Sequence, residues 1–160
     1  MNDDNFQARR VSRSASFVVN ADVDAVFPLF GAFEERKWAE GWNPIPIYPE
    51  KEIIEEGTTF KVKAHGHGHD GEGDMIWFVS KYEPENHVIQ YLVNTVNRIW
   101  TITVRCERTA SESKTKASVT YSFTGLNPEG NELNEKALNH MFQHNLQDWA
   151  DEMNGYLDSR

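Results

Sequence analysis

A single cysteine, Cys106, in 160 residues rules out a disulfide framework within the chain and a four-cysteine zinc site. Positive charge is also scarce. Sixteen Lys and Arg stand against 25 Asp and Glu, for a formal net charge of −9. Nucleic-acid phosphates need a basic patch and a polybasic membrane anchor needs clustered Lys and Arg, so this balance argues against both partners. No apolar run approaches the roughly 20 residues of a membrane-spanning helix. The start, Met1-Asn2-Asp3-Asp4-Asn5, is polar and acidic and lacks the apolar stretch of a signal peptide. The expectation is a cytoplasmic protein. No Gly-x-Ser-x-Gly and no P-loop is present, so neither a nucleophile elbow nor a phosphate cradle is spelled out.

Aromatic residues are plentiful: five Trp, five Tyr and nine Phe. They can fill a core or line a cavity. With 39% hydrophobic and 26% charged residues, the length suits one compact domain over 1–160, its first nine residues frayed.

Alternation marks the strands. In Val11–Val19, Ala15, Phe17 and Val19 share one parity and Ser12, Ser14 and Ser16 the other. A short helix follows, capped by Asn20 with Asp22 and Asp24 in its first turn, bent by Pro28 and stopped at Gly31. A helical turn is expected over Glu34–Ala39. Pro44, Pro46 and Pro49 make 41–49 irregular or edge-extended. Strands are then expected over Thr58–His65, Met75–Tyr82, Val88–Val93, Ile99–Cys106 and Thr115–Phe123, with a weak candidate at Lys51–Glu55. Short connections make neighbours antiparallel. From about Glu132 to Leu157, Leu138, Met141, Phe142, Leu146, Trp149, Met153 and Tyr156 fall on one stripe of a single helix of about 26 residues, roughly 39 Å long. The class is α+β: a curved antiparallel sheet of about six to seven strands gripping a long C-terminal helix, with two short helices after the first strand.

The run Ser16-Phe17-Val18-Val19-Asn20-Ala21-Asp22-Val23-Asp24-Ala25-Val26-Phe27 resembles the first strand and helix of the Bet v 1-like superfamily, also called START-like, SRPBCC or helix-grip. Trp38-Ala39-Glu40-Gly41-Trp42 is similar to a Trp-x-x-Gly-Trp motif of one bacterial subgroup, and Thr120-Tyr121-Ser122-Phe123-Thr124-Gly125-Leu126 resembles the superfamily's last strand. The resemblance spans 11–157 and takes in polyketide cyclase/dehydrase-related proteins. It implies a cavity between sheet and helix, and a lipid or hormone carrier, an aromatase/cyclase, a dehydratase or a chaperone-activating module.

Candidate lining residues are Trp38, Trp42, Tyr48, Trp77 or Phe78, Tyr91, Trp100, Tyr121 and Phe123, with Met141 and Trp149 from the helix. Core filling is the plainer role for each. Asn145 projects onto the middle of the helix stripe, where a buried amide must be satisfied by backbone, water or ligand. His65, His67 and His69, interleaved with glycine and followed by Asp70, Glu72 and Asp74, carry metal-ligating groups. Their parity places them outside, so no native metal and no cofactor is expected. His140 and His144 read as solvated, and Cys106 as an inert buried thiol. Glu34, Glu35 and Glu40 could supply an acid or base beside the Trp pair, although carboxylates at helix ends are commonly exposed. The expected partner is a small hydrophobic or aromatic molecule, held by burial of its apolar surface. A cyclase- or dehydratase-type enzyme is the alternative, and a homodimer is left open. A protein-interaction module would need an exposed apolar patch, for which only 42–49 offers material.

Overall fold

The computed structural model describes residues 5–63 and 73–160. Seven strands form one antiparallel sheet in the order β1-β7-β6-β5-β4-β3-β2. They are β1 (Arg10–Val19), β2 (Ile45–Tyr48), β3 (Thr59–Val62), β4 (Met75–Glu83), β5 (Val88–Asn94), β6 (Arg98–Arg108) and β7 (Thr115–Gly125). Lys51–Glu55 forms no strand. The Pro-containing strand β2 sits at an edge, where a missing N–H costs no ladder bond.

Side-chain alternation divides the sheet into two faces. On the outer face, Ser12, Ser14 and Ser16 hydrogen-bond to Ser122, Thr120 and Ser118 at 2.7–2.9 Å. On the inner face, registry aligns two rows of large residues. One runs Tyr121, Ile102, Tyr91, Val79; the next runs Phe123, Trp100, Val93, Trp77, Phe60. A bulge between Val79 and Lys81 in β4 adds local twist to the curved sheet.

After β1, the Asp22 side chain caps α1 (Val23–Val26) by accepting from the Ala25 N–H at 2.9 Å, in place of the expected Asn20. At Pro28 the helix tightens into a 3-10 turn, Phe27–Phe30, and a second turn covers Glu34–Lys37. These pieces bury Val26, Phe27, Leu29 and Phe30 against the sheet.

The C-terminal helix differs from the single rod expected. It is α2 (Pro128–Met141) and α3 (Gln147–Asp158), joined by a turn in which Asn145 (φ 52°) and Leu146 (φ 60°) are left-handed. Asn tolerates that conformation better than most residues, and Leu146 adopts it with its side chain fully packed. Leu138, Phe142, Leu146, Ala150 and Met153 are all buried, so the apolar stripe continues through the break. Helix α2 packs on β7, β1 and β6, and α3 on β1. The start of α2 meets the sheet closely, since a Cβ on Gly130 would lie 1.9 Å from the Asn97 carbonyl oxygen. Gln7 and Arg9, expected in a frayed start, hydrogen-bond to Asn131 on α2.

Candidate functional site

Between α3, the Glu34–Lys37 turn and the inner face of the sheet lies a cavity of about 210 Å³. The β-strands supply Trp77, Tyr91, Ile102, Val104 and Tyr121, the turn region supplies Ala32, Glu35, Trp38, Ala39 and Trp42, and α3 supplies Asp148, Trp149 and Glu152.

The aromatic wall is built from two groups of touching rings. Ring centroids lie 5.2 Å apart for Trp42–Trp77, 5.7 Å for Trp77–Tyr91, 5.9 Å for Trp38–Trp149 and 6.4 Å for Tyr121–Trp149. Two indoles are fixed through their N–H groups. Trp38 Nε1 donates to the Leu29 carbonyl and Trp42 Nε1 to the Ala32 carbonyl, each at 2.7 Å. The Trp-x-x-Gly-Trp spacing thus pins both rings to the preceding chain, with Gly41 at a left-handed φ of 82° that favours glycine. Tyr91 donates its hydroxyl to the Phe30 carbonyl at 2.7 Å. Trp77 differs, because its Nε1 is buried and has no hydrogen-bond partner among the described residues. An unmet buried donor costs on the order of 1–3 kcal/mol.

The electrostatics centre on Glu35. Its carboxyl is withdrawn from water, and desolvation pushes it well above the usual carboxylate range, toward the protonated form. Tyr91 and Tyr121 are pushed up by burial first and by the charge of Glu35 second. At the rim, Glu152 is raised by desolvation, then by the negative charges of Asp148 and Glu40. Among the described residues, no Lys, Arg or His lines the cavity. The two cations beside Glu35 are engaged elsewhere, Arg36 with Glu52 and Lys37 with Glu34.

Of the residues expected to line a site, Trp38, Trp42, Trp77, Tyr91, Tyr121 and Trp149 come together here. Trp100 and Phe123 do not. They pack on each other at 5.2 Å, one inward step further along β6 and β7, with the buried Arg98 guanidinium 4.7 and 5.4 Å from their ring centroids. Their space is already filled. Tyr48 is 72% exposed on the edge strand, and Phe78 lies on the outer face of β4. Met141 borders a separate surface cleft beside the helix break. Asn145 is exposed, because the break turns its amide away from the stripe that an unbroken helix would have given it. His140 and His144 are exposed and flank the break. His65, His67 and His69 lie outside the described residues. Cys106 is buried, and burial pushes its thiol up to about 12, so it stays protonated and unreactive.

Asp148 and Glu152 were not singled out from sequence. Their only signal was a position on either side of Trp149, one and three residues away respectively, on a helix whose charged positions otherwise read as solvated.

The curved sheet, the gripped C-terminal helix and the space between them define a Bet v 1-like protein. The chain belongs to the family described as polyketide cyclase/dehydrase and lipid transport, whose model matches residues 10–157. That membership supports a role in hydrophobic ligand binding or cyclisation. No curated protein matches the chain in sequence. Among solved structures it is similar to norcoclaurine synthase from Thalictrum flavum in complex with dopamine and hydroxybenzaldehyde, with TM-score 0.69 and 10% identity, over 96% of this chain and 89% of that one. It is also similar to a protein from Rhizobium leguminosarum, with TM-score 0.65 and 16% identity over 96% and 98% of the two chains. Ara h 8.0201 gives TM-score 0.66 and 13% identity over 95% and 100%. At these identities the likeness is one of fold. Among the described residues, no helix is long and apolar enough to cross a membrane.

Proposed function

We propose that the chain binds a small aromatic molecule in the cavity between α3 and the sheet. The observation that carries this reading is the unpartnered Trp77 N–H inside a wall of aromatic rings. Apolar walls with a few placed polar groups are the usual build of a small-molecule site. Burial of the ligand's apolar surface supplies the driving force at about 25 cal/mol per Å². A hydroxyl or carbonyl oxygen on the ligand would accept from Trp77, and a volume of about 210 Å³ favours one or two rings over a long lipid chain. The test uses tryptophan fluorescence with 2-naphthol and naphthalene as probes. Both should bind, 2-naphthol by about threefold to tenfold more tightly, and Trp77→Phe should abolish the difference. Equal affinities in the wild type would contradict the assigned role of Trp77.

A second reading, a cyclase- or dehydratase-type enzyme, is favoured by Glu35. A carboxyl held in its protonated form inside an aromatic cavity can donate a proton to a departing hydroxyl and, once ionised, take one from an acidic carbon. In an aldol condensation of a β-polyketone, the carbon between two carbonyls loses a proton and attacks a ketone. The ketone oxygen takes that proton back to become a hydroxyl, and the hydroxyl then leaves as water with the second proton of the same carbon as a C=C bond forms. Mass spectrometry of such a substrate should record the loss of one water with the wild type and none with Glu35→Gln. Equal conversion by the two proteins would remove Glu35 from the reaction.

A further inference from the structure

We propose that the molecule accepted by this cavity carries a positive charge: an aromatic organic cation whose ammonium centre lies among Glu35, Asp148 and Glu152 and against the surrounding indoles. The inference rests on the binding reading above and narrows it to a class of ligand.

Three features of the lining lead to it. First, among the described residues no Lys, Arg or His balances the acids of the lining, with Glu35 on the turn after Phe33 and Asp148 and Glu152 one helical turn apart on α3. Second, none of the three forms an ion pair among the described residues. The cations on the Glu35 turn are paired with Glu52 and Glu34, and the other ion pairs lie away from the cavity. Third, the rest of the lining is rich in indole and phenol rings, whose faces attract cations.

A neutral apolar ligand would use the rings and leave the carboxylates facing one another. An anionic ligand would be repelled by Asp148 and Glu152 and would hold the Glu35 carboxyl in its neutral form. A metal ion would need ligands gathered closely around it, and no group of three or more His, Cys, Asp or Glu among the described residues is close enough to hold one. Carboxylates too widely set for a metal ion suit a cation of larger radius with its charge spread over several methyl or methylene groups. Such a cation also loses less hydration on entry than a compact ammonium does. The electrostatics of the lining point the same way. Glu152 is raised by desolvation and then by its negative neighbours, and Glu35 by desolvation; an incoming positive charge lowers both and draws Glu35 from its protonated toward its ionised form.

The test compares phenyltrimethylammonium, whose charge does not titrate, with its neutral isostere tert-butylbenzene, using the full chain at pH 8 and low salt and reading tryptophan fluorescence. The cation should bind at least about tenfold more tightly. Glu35→Gln should remove most of that preference and leave tert-butylbenzene within about twofold of its wild-type affinity. Glu152→Gln, at the exposed rim, should reduce the preference by about threefold and provides a second variant should the buried substitution fail to fold. Equal or tighter binding of tert-butylbenzene overturns the charge assignment and leaves the aromatic cavity intact as a binding site. If neither probe binds below millimolar concentration, the cavity reading falls as well.

Discussion

At the scale of single residues, Glu35 combines a withdrawn carboxyl with a position against two buried phenols. The consequence for stability has a definite sign. Because the folded-state value is raised, folding favours the protonated form. The penalty is absent below the ordinary value of a glutamic acid and grows as pH rises through the raised one. Glu35→Gln should therefore melt above the wild type at pH 8, with the gap closing toward pH 4, as measured by thermal unfolding at a series of pH values. A wild type that outlasts the variant at pH 8 would mean that the ionised carboxylate has a partner in the fold. The tryptophans separate in the same way. Trp100→Ala should cost about 3–5 kcal/mol in urea unfolding, because its ring fills packed space against Phe123 and Arg98. Trp77→Phe removes an unmet donor and should cost less than about 1 kcal/mol while altering ligand preference. Composition and strand parity could mark both tryptophans as inward. They could not tell which one bordered empty space, because that depends on what the helix leaves uncovered.

At the scale of elements, the strands were legible for a simple reason. A sheet with one buried face writes its register into the sequence with period two, as in Trp100, Ile102, Val104 and Cys106, all of which are buried. The C-terminal helix was legible in type and stripe but not in continuity. Leu138, Phe142, Leu146 and Ala150 follow one another at four-residue steps, and burial preserves that spacing across the break. Nothing in the apolar pattern registers Asn145 and Leu146 in left-handed conformation. The break in turn removed Asn145 from the site and set Asp148, Trp149 and Glu152 at the cavity. Asn145→Ala should consequently lower stability by about 1 kcal/mol and leave ligand affinity unchanged, with Asn145→Gly stabilising relative to Ala. Urea unfolding beside a 2-naphthol titration checks both. A loss of affinity with unchanged stability would return Asn145 to the binding site.

At the scale of the whole molecule, a chain of net charge −9 builds a hydroxyl-rich outer sheet face and turns most of its aromatic residues inward, Tyr48 and Phe78 excepted. Helix α2 closes one end of that interior over Trp100, Phe123 and Arg98, while α3 and the Trp38–Trp42 segment leave the other end open. The fold-level resemblance could be recognised from the first strand, the Trp-x-x-Gly-Trp segment and the last strand, because those segments carry the turns and caps that fix the topology. Which acids reach the cavity could not be read. An acid on an amphipathic helix has the same sequence signature whether it faces solvent or a cavity rim. The most direct test is a two-dimensional ¹H–¹⁵N spectrum of the five indole N–H groups during titration with 2-naphthol. The resonances of Trp38, Trp42, Trp77 and Trp149 should move together and saturate, Trp77 most of all, while Trp100 stays in place. Five unmoved resonances, or a Trp100 that shifts as far as the other four, would contradict a binding site in this cavity.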